Sequence, residues 1–134
     1  MSLADGFVAA RLPAQDLDRA RAWYSEKLGL EPAEVRPGGL RYTINGVEFS
    51  IYVSAGRPDG TFTQVAFTVD DLNAKVIELR RRGVAFEEYD SPGLRTVNGV
   101  AQVEGNYPSK GSGERAAWFR DSEGNMLGVG QPVD

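Results

Sequence analysis

The sequence predicts an α+β domain of two βαβββ modules, with helices on the outer face of a curved, mixed, mainly antiparallel sheet. Three observations carry this. A short apolar strand runs twice into an Asp-Leu pair that opens a helix: Phe7–Leu12 into Asp16-Leu17, and Thr63–Val69 into Asp71-Leu72. Hairpin signals follow each helix, and the two copies together fill the chain. Each unit therefore reads as strand, helix, then three strands, a pattern that segregates helices to one face of the sheet. The first module spans about residues 5–54 and the second about 61–131, within a single domain covering 1–134.

After the opening strand, Leu17, Ala20, Tyr24 and Leu28 recur at spacings of three and four, which makes one apolar stripe on a helix from Asp18 to Lys27. Asp16 or Asp18 supplies a cap for its first N–H groups, and Gly29 ends it. Strands over Leu40–Ile44 and Val47–Val53 flank Asn45-Gly46, the pair that favours a two-residue hairpin turn. The second helix carries Leu72, Val76 and Leu79 on its stripe and stops at Gly83. Its last turn holds Arg80-Arg81-Arg82, cations at the negative end of the helix dipole. Val84–Tyr89 reads as a further strand, and Ala116–Phe119 with Met126–Val129 as a hairpin around residues 121–125. The stretch Asp90–Glu114 is rich in Gly, Ser, Pro and Asn; it is expected to be a long loop, with a short strand near Thr96–Val103.

Composition removes several functions. The net charge of −4 leaves no basic footprint for nucleic-acid phosphates. No apolar run approaches the ~20 residues that cross a bilayer, and the N-terminus carries neither a basic nor an apolar leader, so a cytoplasmic protein is expected. Without cysteine no disulfide staples the fold, and without histidine or cysteine no nucleophile–base pair of the usual kinds can be assembled. At 14.6 kDa the chain buries roughly two-thirds of its unfolded surface, enough for one core.

Strand periodicity points to a site. If one parity of each strand faces its helix, the other lines a concave surface: Phe7, Ala9 and Arg11; Glu48, Ser50 and Tyr52; Gln64, Ala66 and Thr68; Trp118; Met126 and Gly128. Polar groups mixed with aromatics suit a small-molecule pocket. Arg11 offers a guanidinium to a carboxylate, phosphate or enolate, with a salt bridge to Glu48 as its structural alternative. Gln64 serves either a ligand or a cross-strand neighbour, Tyr42 and Tyr52 suit either the pocket edge or ordinary strand packing, and Trp23 and Tyr24 belong to the core.

The paired units resemble the vicinal oxygen chelate superfamily, which includes glyoxalase I, bleomycin-resistance proteins, fosfomycin-resistance enzymes and extradiol dioxygenases. The matching residues are Asp16-Leu17 with Arg19-Ala20 and Trp23-Tyr24, Leu28-Gly29-Leu30, Val69-Asp70-Asp71-Leu72, Gly83-Val84, and Trp118-Phe119-Arg120-Asp121 with Gly124-Asn125. The resemblance implies a half-barrel cleft, often completed by a homodimer. It also implies metal ligands at Ala9, Gln64, a residue around Ser50–Tyr52, and Gly128, where only Gln64 offers a donor. Three or four donors are needed to hold a transition metal, so the expectation is a site with no metal and no cofactor. Trp118 falls where fosfomycin-resistance enzymes place a cleft-facing Tyr, and Lys110 and Ser109, joined by Arg95, fall in a loop that supplies contacts there.

The chain is thus expected to bind a small organic molecule, aromatic or anionic, through Arg11, Glu48, Tyr52, Gln64, Trp118 and Lys110, as a binding protein rather than an enzyme. The alternative is a metal-independent lyase or isomerase with Glu48 as base, Tyr52 as acid and Arg11 polarising an oxyanion. A structural partner domain whose cleft is filled by protein is the third reading.

Overall fold

The structure, a computed structural model, describes residues 2–104 and 112–133. It contains the two predicted modules. In the first, β1 (Ala10–Ala14) leads to α1 (Leu17–Trp23), then β2 (Glu34–Arg36), β3 (Gly39–Ile44) and β4 (Val47–Val53). In the second, β5 (Thr63–Thr68) leads to α2 (Leu72–Arg81), a two-residue-stranded hairpin of β6 (Asp90–Ser91) and β7 (Leu94–Arg95), then β8 (Val100–Glu104), β9 (Gly113–Arg120) and β10 (Met126–Val133). The strand orders are β1-β4-β3-β2 and β5-β10-β9-β8, so each module repeats the same topology. In both, the opening strand lies parallel to the closing one and the remaining pairs are antiparallel.

Local signals act as the sequence indicates. The Asp16 carboxylate accepts from the Arg19 N–H and Asp71 from the Ala74 N–H, each capping its helix. The first helix widens into a π-helical turn over Tyr24–Leu28 and ends at left-handed Gly29. Asn45 and Gly46 have φ of 49° and 80°, the pair of positive values that a tight hairpin turn requires.

The two modules share one core. Leu12, Ala14, Tyr24, Tyr42, Phe49 and Ile51 from the first join Leu72, Val76, Phe119, Leu127 and Val129 from the second. Trp23 stacks on Phe119 with ring centroids 6.2 Å apart, and Phe49 meets Phe67 edge-on at 6.1 Å. The expected core role of Trp23 and Tyr24 is therefore met, although Trp23 is only half-buried.

A polar clamp sits beside this core. The β9–β10 turn carries Asp121, Glu123 and Asn125, all buried. Glu123 accepts from the backbone N–H groups of Gln15 and Asp16 and from the Arg19 guanidinium, whose Nε lies 2.8 Å away. Asp121 accepts from the Tyr24 hydroxyl at 2.7 Å, and the Asn125 amide donates to Asp121 and to the Pro13 carbonyl. The Arg19 hydrogen bonds, outweighing the cost of burial, hold the Glu123 carboxyl down at about 2. Burial and the Asp121 charge push the Tyr24 phenol well above its usual value.

Three expectations need correction. Phe7 does not belong to a strand: β1 begins at Ala10, where pairing with Phe49 starts, and Phe7 and Val8 project fully into solvent. Val84–Tyr89 is not a strand either. Strand β9 already pairs with β8 through Ala117, which leaves room for one bridge, Phe86 to Phe119, and a Glu87 N–H bond to the Trp118 carbonyl. Met126 is buried and lines no cavity face, because the register between β10 and β5 shifts between Met126 and Leu127.

Candidate functional site

With the helix-facing sides of both sheets joined in one core, each sheet turns its other side outward. The residues expected in one cleft accordingly line two cavities that have no residue in common.

On the first sheet a cavity of roughly 600 Å³ is lined by Ala9, Arg11, Glu48, Ser50 and Tyr52, all predicted, together with Glu34, Arg36 and Arg41. The register sets Arg11, Ser50, Arg41 and Glu34 in one row across β1, β4, β3 and β2. Arg41 reaches Glu34 at 3.1 Å and Glu48 at 3.5 Å, and Arg36 reaches Glu34 at 2.7 Å. These hydrogen bonds from Arg36 and Arg41 lower the Glu34 carboxyl. The expected alternative for Arg11, a salt bridge to Glu48, does not form, since Glu48 pairs with Arg41 instead. The Arg11 side chain makes no ion pair or hydrogen bond among the described residues. The row therefore carries one unneutralised guanidinium. Arg41 was absent from the predicted set, yet the same alternation reveals it: Leu40 and Tyr42 are buried, so Arg41 between them must face outward.

The second cavity, roughly 560 Å³, is lined by Gln64, Ala66, Trp118 and Gly128 as predicted, and by Leu94, Ala116 and Gly130. Glu114 also lines it, with a carboxylate oxygen 2.5 Å from where a Cβ on Gly130 would stand. Trp118 lies opposite Gly128 on β10, and a Cβ added at Gly128 would stand 3.4 Å from the indole Cδ1. The indole thus packs beside Gly128 at ordinary contact distance. Tyr89 props the ring edge-on, with centroids 5.7 Å apart. The indole N–H has no acceptor among the described residues. Thr68, expected on this face, is exposed and is not part of the lining.

Gln64 has a local task. Where the register shifts, its Oε1 accepts from the Met126 N–H at 3.1 Å and its Nε2 donates to Asn125 Oδ1 at 3.0 Å. Both ends of the amide fill the gap that the bulge opens in the ladder. Of the implied metal positions, Ala9 and Gly128 have no donor, Ser50 and Tyr52 lie on the other sheet, and Gln64 is engaged. That set does not fit a transition metal, and no group of three or more Asp or Glu side chains converges on one point among the described residues. Arg95 pairs with Asp90 at 3.2 Å on the exposed β6–β7 hairpin. Ser109 and Lys110 lie outside the described residues.

The fold matches several solved structures. A glyoxalase/bleomycin resistance protein/dioxygenase from Alicyclobacillus acidocaldarius superposes with a TM-score of 0.69 at 18% identity, covering 100% of this chain and 96% of that one. TnmS3, an antibiotic-binding protein from Streptomyces sp. CB03234, gives 0.62 at 26% identity over 96% of this chain and 97% of its own. The fosfomycin resistance protein FosX from Listeria monocytogenes gives 0.65 at 13% identity over 96% and 93%. No curated protein matches the sequence. The family model for the Glyoxalase/Bleomycin resistance protein/Dioxygenase superfamily matches residues 6–129, and the chain belongs to that superfamily.

Proposed function

We propose that the protein binds a planar, anionic organic molecule without a metal, in a cleft assembled from two copies of the chain. The observation that carries this is Trp118: its indole lies beside Gly128 in a cavity lined also by Ala66, Ala116 and Glu114, with no acceptor for its N–H among the described residues and Tyr89 edge-on to it. Such a surface stacks on a flat ring and donates to a polar atom at its edge. Arg11, the unneutralised cation of the other face, selects negative charge. TnmS3, at 26% identity, is an antibiotic-binding protein, which agrees with retention of an organic molecule rather than its turnover.

Open strand edges support the homodimer. Strands β1 and β5 are both at the margin of their sheets, and an open margin pairs readily with another chain. Joining β1 of one copy to β5 of the other, twice about a two-fold axis, brings each Arg11–Glu48–Tyr52 face beside the partner copy's Gln64–Trp118 face. Leu3, Phe7 and Val8, exposed beside β1, and Phe62, exposed beside β5, gain cover in that arrangement. Lys110 is proposed as a ligand contact on its sequence position alone, and Gln64 as the residue that holds the strand beneath the cleft.

The test uses 2-naphthoate as probe, read by thermal shift and calorimetry. The wild-type dimer is expected to be stabilised. Trp118→Ala should abolish the effect, and Arg11→Ala should weaken binding by about ten- to a hundredfold, the scale of a lost charged hydrogen bond. A monomer in sedimentation at micromolar concentration, or an unchanged response in Trp118→Ala, overturns the reading.

A further inference from the structure

The first cavity offers more free donors than the Arg11 guanidinium. Its central row runs Arg11, Ser50, Arg41, Glu34, one residue from each strand of the sheet, at the usual strand spacing of about 4.8 Å. Ser50, the shortest side chain of the four, stands between the two arginines, and its hydroxyl has no partner among the described residues. Arg41 is held from two sides, its Nε by Glu34 at 3.1 Å and its Nη1 by Glu48 at 3.5 Å, which leaves its Nη2 unbonded among the described residues. Two residues along β4 from Ser50, on the same face, Tyr52 stands opposite Gly39 and likewise keeps its hydroxyl without a partner there.

Charge on this face narrows what those donors suit. Arg11, Arg36 and Arg41 stand against Glu34 and Glu48, and the two glutamates are taken up by Arg36 and Arg41. One positive charge is left, on Arg11. A guest with a single negative charge completes the balance. A second negative charge would face the two carboxylates with no cation left for it, at the cost of sequestering an unpaired charge. A carboxylate also matches the planar fork of a guanidinium, oxygen for nitrogen. Resting on the reading that the protein binds a planar, anionic molecule, we propose that the anionic group is one carboxylate seated over Ser50 between Arg11 and Arg41, so that the ligand is an aromatic monocarboxylate. Arg11 pairs with its charge and Ser50 donates to it. Glu48, by holding Arg41, keeps the face at one positive charge and so sets the selectivity against dianions.

Three probes share one ring system: 2-naphthoate, the neutral 2-naphthamide, and 2-naphthyl phosphate, a dianion well above its second pKa of about 6. Calorimetry on the full-length protein at mildly alkaline pH compares them. The wild type is expected to bind the carboxylate about ten- to a hundredfold more tightly than the amide, and more tightly than the phosphate. Arg11→Ala should erase the preference over the amide. Ser50→Ala should weaken 2-naphthoate by about tenfold, the scale of a hydrogen bond to a charged group. Glu48→Gln, at a half-exposed side chain, should move the preference toward the phosphate. Equal affinity for carboxylate and amide, a tighter phosphate in the wild type, or an undiminished 2-naphthoate affinity in Ser50→Ala overturns the carboxylate seat and leaves the wider reading standing. Failure of all three probes to bind removes that reading, and this inference with it.

Discussion

Tyr24 and Tyr42 lie side by side in the core with centroids 5.6 Å apart, yet their hydroxyls have opposite fates. Tyr24 donates to Asp121 at 2.7 Å, whereas the buried Tyr42 hydroxyl has no partner among the described residues. Burial, with Glu31 adding to it, pushes the Tyr42 phenol up to about 12. Tyr24→Phe should cost about 1.5–3 kcal/mol, the worth of a hydrogen bond to a charged group, while Tyr42→Phe should be neutral or stabilising. Urea denaturation of the two variants decides this, and equal losses would contradict the difference in bonding. Glu123 adds a pH dependence. Its folded value of about 2 lies below the ordinary 4.5, so its contribution is complete above pH 4.5 and is lost as the pH falls toward 2. At neutral pH this is on the order of 3 kcal/mol. Glu123→Gln should be less stable at pH 7 and should flatten the loss between pH 4.5 and 2; an unchanged acid transition would refute it. None of these pairings is legible in the sequence. Tyr24 and Asp121 are 97 positions apart, and only the docking of the modules brings them together.

Helices and hairpins, by contrast, declare themselves locally. Asp16, Asp71, Gly29 and Asn45-Gly46 act within a few residues of where they stand, and each does what its chemistry predicts. The misread elements depend on neighbours. Val84–Tyr89 has the composition of a strand, but the edge it would need is held by β8. Parity on β10 failed at Met126 because a bulge cannot be read from apolar alternation. At that bulge Gln64→Leu would leave the Met126 N–H and the Asn125 side-chain Oδ1 without their partner. A loss of about 2–6 kcal/mol is expected, roughly one to three for each orphaned group. Undiminished stability in thermal or urea unfolding would show that the amide is not the plug.

At the scale of the whole molecule, alternation groups residues by face within each sheet, and Ala9, Arg11, Glu48, Ser50 and Tyr52 on one and Gln64, Ala66, Trp118 and Gly128 on the other line cavities, whereas Phe7, Thr68 and Met126 do not. It carried no information on how the sheets face one another, since that is set by the shared core and by the clamp of Glu123 on Gln15, Asp16 and Arg19. Divided donors also bear on metals. After incubation with Ni²⁺, Mn²⁺, Zn²⁺ or Fe²⁺ and desalting, the protein should retain less than about a tenth of an equivalent, since one engaged amide cannot replace three or four donors. Stoichiometric retention by elemental analysis would return Gln64 and Glu48 to the position of ligands. The two tryptophans, finally, differ in a way that gives the protein its own optical reporter. Trp23 is wedged between Tyr24 and Phe119, while Trp118 lies against backbone at an open cavity. A guest stacked on Trp118 alters that indole's emission alone, so Trp23 serves as an internal reference and occupancy is readable without a label.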